Sequence, residues 1–196
     1  MSDRIINKLD QVAVILSEKK PVSSRLLGEL SDCLDRVLNN VDDKPATKPH
    51  DQTHKRVIRI WSDGACTGNP GPGGWGTIVE INGNRFEYSG SSSHTTNNIM
   101  ELTGALVGIQ KTQEGSVIEL TSDSQYLVKG MTEWLQGWKK KGWKKGDGKE
   151  VLNKDLWKEL DAEAAKRTIT WKWIKGHTGH PENERCDELA RMAIRR

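Results

Sequence analysis

The 196-residue sequence predicts a mixed α/β fold, a single sheet with helices packed on it, preceded by a small helical hairpin. Three observations carry this reading. Apolar residues recur at helical spacing over the first forty positions, and no Trp, Tyr or Phe occurs before Trp61. A polar stretch with two prolines, DDKPATKPHDQTH at 42–54, then interrupts the periodicity. From Val57 onward, three strand-like runs are followed by alternating helical and strand-like segments, the order expected of a mixed sheet.

Taken in order, Ile5, Leu9, Val12 and Leu16 form one apolar stripe, and Leu26, Leu30, Leu34 (or Cys33), Val37 and Val41 form a second. Pro21-Val22-Ser23-Ser24 between them reads as a turn and a helix cap. Residues 1–41 are therefore a helical hairpin, 42–55 a linker and 56–196 the main domain. Val57–Trp61 is a first strand that ends at Ser62-Asp63. The glycines and prolines of 64–76 behind it read as a loop, which places Asp63 at the carboxyl end of the strand. Gly74–Ile81 and Asn84–Ser89 form a hairpin closed by Asn82-Gly83, a dipeptide that tolerates positive φ at both turn positions. A helix from Thr96 to about Gln113 follows, then a strand at Val117–Thr121 with Asp123 just past its end. Ser124 caps a helix from Gln125 to about Trp138. A helix at Asp155–Lys166, a strand at Ile169–Ile174 and a helix at Glu182–Arg195 complete the chain.

Composition narrows the class. The chain is 29% charged and has no apolar run near the roughly 20 residues of a membrane helix, so no membrane association is expected. Its start lacks the basic and apolar segments of a signal peptide. Cys33, Cys66 and Cys186 are odd in number and widely spaced, which argues for reduced thiols in the cytoplasm and against a zinc site or a disulfide frame. The net charge of +3 is too small to specify a partner. The distribution of charge is more informative.

Asp63 and Asp123 each follow an apolar strand, where open α/β sheets place ligand sites. Glu101 sits among Asn97, Asn98, Gly104, Ala105 and Gly108 on a helix that is apolar nearly all round, so it is expected against the sheet, where a buried carboxylate needs a cation or hydrogen bonds. Asp187 lies one turn after Asn183 on the border of an apolar face. Four acids from four elements would make an oxygen-rich pocket for hard divalent cations. Singly, each has a structural explanation that outweighs the functional one: a turn for Asp63-Gly64, a cap for Asp123, solvated helix positions for Glu101 and Asp187.

Longer motifs decide between these readings. SDGACTGNPGPGGWG at 62–76, TTNNIMELTGA at 95–105, LTSDSQYLVKGM at 120–131 and WIKGHTGHPENERCDELA at 173–190 resemble, in order and spacing, the type 1 ribonuclease H family of bacteria, from about Arg56 to the C-terminus. The resemblance implies a ribonuclease H-like mixed five-stranded sheet flanked by helices. It also implies endonucleolytic hydrolysis of the RNA strand of RNA–DNA hybrids, with two Mg²⁺ ions (Mn²⁺ as an alternative), leaving 5′-phosphate and 3′-hydroxyl ends. On this resemblance Asp63, Glu101, Asp123 and Asp187 occupy the metal-carboxylate positions. His177 occupies that of a histidine assisting proton transfer or product release, a role that suits imidazole on a glycine-flanked loop. Asn69, Asn97, Asn98 and Gln125 match minor-groove contacts, and Thr96 a DNA-phosphate contact. Amides can donate to and accept from the 2′-hydroxyl that distinguishes RNA.

In WLQGWKKKGWKK at 134–145, Lys139, Lys140, Lys141, Lys144 and Lys145 interleave with Trp138 and Trp143, a pattern suited to tracking a phosphate backbone. It resembles the basic protrusion of bacterial members that grips the DNA strand, with Trp134 near the DNA groove and Trp138 and Trp143 packing the protrusion. Two rival functions remain. One is a non-catalytic hybrid-binding protein on the same fold, which would not need four clustered acids. The other is a different two-metal nuclease or integrase-like enzyme, against which the amide set and the Lys/Trp protrusion stand.

Residues 1–55 lie outside the match. With ten Lys/Arg against nine Asp/Glu over 1–56 and no aromatic residue, this segment does not resemble the aromatic, basic hybrid-binding module of eukaryotic relatives. Two amphipathic helices cannot bury both stripes alone. The hypothesis is therefore a protein-interaction or homodimer element. Deleting residues 1–50 should reduce the mass measured by light scattering to that of a monomer if the segment dimerises; a full-length chain that is already monomeric removes the dimer version.

Overall fold

The computed structural model describes residues 57–195. The helical hairpin expected at 1–41 and the linker at 42–55 lie outside the described residues. Within them the order is β1 (Ile58–Cys66), β2 (Gly71–Ile81), β3 (Asn84–Thr95), α1 (Asn97–Gln110), β4 (Val117–Ser122), α2 (Gln125–Lys129), a π-helical turn (Gly130–Trp134), α3 (Leu135–Lys140), α4 (Lys154–Ala165), β5 (Thr168–Trp173) and α5 (Pro181–Ile194). The strands form one five-stranded mixed sheet in the order β3-β2-β1-β4-β5. β1, β2 and β3 are antiparallel neighbours, whereas β4 pairs parallel with both β1 and β5. The Asn82-Gly83 turn has the expected positive φ angles of 54° and 80° and joins Ile81 to its partner Asn84.

Alternation along the strands sends apolar side chains to both faces of the sheet. One face carries the larger core: Ile60, Val79, Ile118 and Leu120 from the strands meet Leu102, Leu106 and Ile109 of α1, Leu127 of α2, and Trp157 and Leu160 of α4. The other face holds a smaller cluster, where Ile78 packs with Cys186 and Leu189 of α5 against Trp61. The basic protrusion rests on an aromatic series. Tyr126, Trp134, Trp138 and Trp157 lie with successive ring centroids 5.2–6.2 Å apart, and the Trp157 indole donates to the Tyr126 hydroxyl at 3.0 Å.

Two local expectations are corrected. The helix expected from Gln125 to Trp138 reaches Lys140, but its middle widens into a π turn, with Thr132 Oγ1 donating to the Val128 carbonyl at 2.7 Å. More consequentially, β1 does not stop at Trp61. Its parallel pairing with β4 ends at Trp61–Thr121, but its antiparallel pairing with β2 continues through Asp63–Gly76 to Cys66–Gly73. Asp63 therefore sits inside a strand, at the point where β1 outruns β4.

Apart from Gly68, which lies in the bend between β1 and β2 with a φ of 80°, the glycines that read as a loop are strand residues stripped of side chains for close packing. A Cβ on Gly76 would overlap the Cys186 carbonyl oxygen of α5, and one on Gly64 would overlap the Glu101 amide nitrogen of α1. Gly76→Ala should therefore force α5 off the sheet and destabilise the protein by about 1–3 kcal/mol, the usual cost of overpacking. The check is a lower urea midpoint with the slope of unfolding free energy unchanged.

Candidate active site

Where β1 outruns β4, elements from both faces of the sheet meet around a cavity of about 550 Å³. Asp63, Glu101, Asp123, His177 and Asp187 all line it, together with Asn97. Five residues separated by as many as 124 positions thus address one space. Asp63 comes from β1, Glu101 from the second turn of α1, Asp123 from the residue after β4, and Asp187 from the middle of α5.

Each acid is oriented by its own neighbours. Asp63 is 7% exposed and accepts from the Gly64 amide at 2.7 Å. Glu101 accepts from Asn97 Nδ2 at 2.8 Å and from the Ser124 hydroxyl. Ser124 also caps α2, accepting from the Leu127 amide at 3.1 Å, so one side chain both starts a helix and fixes a site carboxylate. Asp123 accepts at Oδ2 from Asn183 Nδ2 (3.1 Å), and its main-chain oxygen accepts from the Trp173 indole (2.9 Å). Asn183 is 3% exposed, and its own Oδ1 has no partner. Asp187 accepts at Oδ1 from Arg191 Nε at 2.9 Å, an i, i+4 ion pair on α5.

Burial and mutual repulsion dominate the electrostatics. Burial pushes the Asp63 carboxyl up to about 8, helped by the charge of Asp123 and then of Asp187 and Glu101, with only the Gly64 amide opposing. Burial likewise raises Glu101 to about 7, against the hydrogen bonds from Ser124 and Asn97 and with the charge of Asp123 adding to the rise. Two neighbouring acids held above their ordinary range mark a place where negative charge is concentrated without enough positive charge to balance it. The donors are hard carboxylate oxygens around an open space, which suits a divalent cation of the Mg²⁺ or Mn²⁺ type that retains water and phosphate ligands. Among the described residues no group of three or more His, Cys, Asp or Glu side chains is already drawn together as a metal-ligand set.

His177 is exposed on the loop between β5 and α5 and has a φ of 53°, unusual for a residue other than glycine. The loop is tied at several points. Thr178 Oγ1 donates to the Lys175 carbonyl at 2.7 Å, the Gly179 amide donates to Glu184 Oε1 at 3.1 Å, and Gly176 approaches Asp123 Oδ2 so closely that a Cβ would overlap it.

The remaining sequence candidates lie around this cavity or further away. Asn69 is exposed in the β1–β2 turn, and its Oδ1 accepts from the Asn97 amide at 3.3 Å. Thr96 is the N-cap of α1, accepting from the Ile99 amide. Asn98 is exposed one residue along. Gln125 does not line the main cavity; it borders a separate groove of about 310 Å³ with Lys129 and Trp173. Trp134 is half-buried in the aromatic series, while Trp138 and Trp143 pack against the core. Lys139 is held by Asp161 at 2.6 Å, whereas Lys140, Lys141, Lys144 and Lys145 are exposed along the protrusion. Asn183, Ser124, Trp173 and Arg191 were not singled out as site residues from the sequence. Only the four-residue spacing of Asn183, Asp187 and Arg191 along α5 would have pointed to two of them.

The comparisons agree on one family. A model of that family, described as RNase H, matches residues 55–195. The ribonuclease H of Aliivibrio salmonicida is 52% identical over 138 residues, covering 70% of this chain and 88% of that protein. That of Pelobacter propionicus is 54% identical over 137 residues, covering 70% and 84%. Among solved structures, LC9-RNase H1, a type 1 RNase H with the type 2 active-site motif, aligns with a TM-score of 0.64 at 30% identity over 74% of each chain. LC11-RNase H1 in complex with an RNA/DNA hybrid aligns with a TM-score of 0.53 at 25% identity, over 70% of this chain and 96% of that one.

A metal-free sample offers a direct check on the carboxylate cluster. The unfolded chain releases the Asp63 proton near 4, the folded chain not until about 8. Between these values the folded state binds more protons, so stability present below pH 4 is lost as pH rises through 8. Glu101 contributes in the same sense up to about 7. In EDTA, Asp63→Asn should therefore stabilise the protein at pH 8 by on the order of 2 kcal/mol, with a smaller gain at pH 5, measured by thermal or urea unfolding. An unchanged or lower stability at pH 8 would count against the clustering of charge described here.

Proposed function

The chain belongs to the ribonuclease H family, and on that premise we propose how its residues carry out endonucleolytic hydrolysis of the RNA strand of RNA–DNA hybrids. The observation that carries the proposal is the convergence of Asp63, Glu101, Asp123, Asp187 and His177 on one cavity. Asp63, the most buried and most repelled of the acids, is assigned the central metal-holding position, with Glu101, Asp123 and Asp187 around it. Divalent cations, read here as two Mg²⁺ ions, would supply Lewis acidity toward the phosphodiester and promote ionisation of the attacking water.

The chain's own groups do the positioning. Asn97 and Ser124 hold both oxygens of Glu101, and Asn183 holds one oxygen of Asp123, so these carboxylates present fixed lone pairs to the cavity. In the reaction, the water oxygen bonds to phosphorus and the P–O3′ bond breaks. The products are a 5′-phosphate and a 3′-hydroxyl, the latter taking up a proton. His177, at the cavity wall with no side-chain hydrogen bond to another described residue, is assigned to carry protons between the site and solvent or to assist release of the product.

Substrate choice rests on amides. Asn69 Oδ1 accepts from the Asn97 main-chain amide and its NH₂ group remains available, while Asn97 Nδ2 donates to Glu101 and its Oδ1 remains available. With Asn97 on the cavity lining and Asn69 hydrogen-bonded to its main chain, an available donor and an available acceptor suit a ribose 2′-hydroxyl, which both donates and accepts. Asn98, Gln125 and Thr96 are assigned to the same duplex, and Trp134 with Lys139, Lys140, Lys141, Lys144 and Lys145 to the DNA strand. No helix of the described residues is long and apolar enough to cross a membrane, and we place the enzyme in the cytoplasm with its nucleic-acid substrate.

A non-catalytic hybrid-binding role fits less well, because binding alone would not require carboxylates held under the repulsion that raises Asp63 and Glu101. Labelled hybrid, double-stranded DNA and double-stranded RNA, each with Mg²⁺ and with EDTA, discriminate the readings. We expect cutting of the hybrid's RNA strand alone and only with metal. Asp63→Asn should lower turnover by on the order of 10³-fold or more while changing hybrid affinity only a few-fold. Comparable turnover by that variant would falsify the metal-site assignment.

A further inference from the structure

The face of α5 that addresses the cavity continues beyond the carboxylates. Asn183, Asp187, Arg191 and Arg195 follow at four-residue steps, each about 6 Å further along the helix axis. Asn183 fixes Asp123, and Asp187 lines the cavity. Arg191 and Arg195 line that cavity too, with Ile194 between them. Two guanidinium groups on the wall of a space otherwise dominated by four acids call for an explanation, and a simple ion pair accounts for only part of it. Arg191 donates its Nε proton to Asp187 Oδ1, which employs one of the five N–H donors of a guanidinium. Its two Nη groups have no protein acceptor among the described residues, and its side chain is 58% exposed. Arg195, at the C-cap of α5, is likewise exposed and without an ion-pair partner there.

We infer that Arg191 and Arg195 form a phosphate track for the RNA strand, holding the backbone phosphates that adjoin the one being hydrolysed. The proposal rests on the hybrid-hydrolase reading above. Its geometry follows from the Asp187 contact. With Nε held by Asp187, the planar fork is fixed in orientation, and the Nη donors remain for the oxygens of a phosphate, the acceptor that a guanidinium fits best. The same side chain therefore joins a carboxylate of the site to the strand being cut. The RNA strand is the favoured occupant because both arginines line the carboxylate cavity itself, whereas the lysines assigned to the DNA strand stand on the separate protrusion formed by α3 and the segment after it. Arg191 engages only Oδ1 of Asp187, which leaves Oδ2 available, so the two roles are compatible.

The test separates this track from a counter-ion role and from general electrostatics. Hybrid affinity is measured by fluorescence anisotropy in the Asp63→Asn background, with R191Q, R191K and R195Q, and with R185Q as the control. Arg185 lies on the same helix but is held by Glu87 and Glu188 outside the cavity, so R185Q makes the same change in net charge. We expect R191Q to weaken binding about tenfold and to reduce the slope of log affinity against log salt by about 0.7–0.9, the signature of one lost phosphate contact. R195Q should show a smaller loss, R191K an intermediate one and R185Q little change. In the otherwise native enzyme, R191Q should raise KM more than it lowers kcat.

A hybrid carrying one uncharged methylphosphonate linkage identifies the strand. Placed in the RNA strand one to three nucleotides from the cut, it should weaken the parent about as much as R191Q does and weaken R191Q itself no further. Equal losses from R191Q and R185Q would overturn the proposal. So would unchanged hybrid affinity in R191Q with tighter metal binding, which would make Arg191 a counter-ion of Asp187 alone. Coupling to a methylphosphonate in the DNA strand instead would also overturn it. A wild-type protein that neither cuts nor binds hybrid would sink the functional reading itself, a failure the wild-type controls reveal separately.

Discussion

The site depends on how closely two helices can approach one strand pair. Asp63 lies on β1, yet two of its companion acids come from helices on opposite faces of the sheet. Side chains would normally keep a helix about 10 Å from a sheet, too far for short acids to share a small cavity. Gly64 and Gly76 remove that spacing locally. Each occupies a position where a Cβ would run into helix backbone, at Glu101 in α1 and at Cys186 in α5. The first contact is at a site acid itself, and the second is one residue before another. Backbone proximity thus becomes carboxylate proximity, and the geometry of the acid cluster and the packing are set by the same two contacts.

Bringing these acids together has an electrostatic consequence that the surroundings only partly offset. Asp63 and Glu101 are both raised, whereas hydrogen bonds from Gly64, Asn97 and Ser124 act in the opposite direction. The protein has not been arranged to make the cluster comfortable in isolation. A cluster fully neutralised by lysines or arginines would be more stable without metal but would have little reason to bind one. Arg191 illustrates the compromise. It pairs with Asp187, the acid with side-chain exposure of 19%, and leaves the most buried acid without a cationic partner. The charge deficit is therefore centred on Asp63, the acid proposed to hold the cation.

Much of this architecture was legible in the sequence, and what was not had specific physical causes. The Asn82-Gly83 hairpin, the five strands and the succession of helices followed from local chemistry and periodicity. The glycine run after Asp63 was misread because glycine has two uses: it permits unusual φ values, and it permits close approach. The segment employs the second over most of its length, and the partner that makes the approach useful, α5, lies more than a hundred residues later. The four acids individually carried little information, and it was the wording of the motifs around them that singled them out. Asn183 and Ser124 stayed hidden as site residues for a different reason. Their role is a hydrogen bond to a residue from another element, and each also has an ordinary local explanation, a buried helix position or an N-cap.

The loop that carries His177 combines a fixed support with an exposed, unpaired side chain. Trp173, at its start, donates its indole proton to the main-chain oxygen of Asp123; Gly176, in its middle, lies against the Asp123 carboxylate; and Asn183, past its end, donates to that same carboxylate. Asp123 is therefore the post to which the segment is tied at three points. His177 itself is exposed, makes no side-chain bond to the described residues and sits at a positive φ between two glycine-containing steps. Tethering both flanks while leaving the imidazole free limits its excursions to the neighbourhood of one acid. For the proton-carrying role proposed for His177, such an arrangement keeps an exposed imidazole, which can exchange protons with water, close to the acid it would serve, whereas an untethered histidine would rarely be in place.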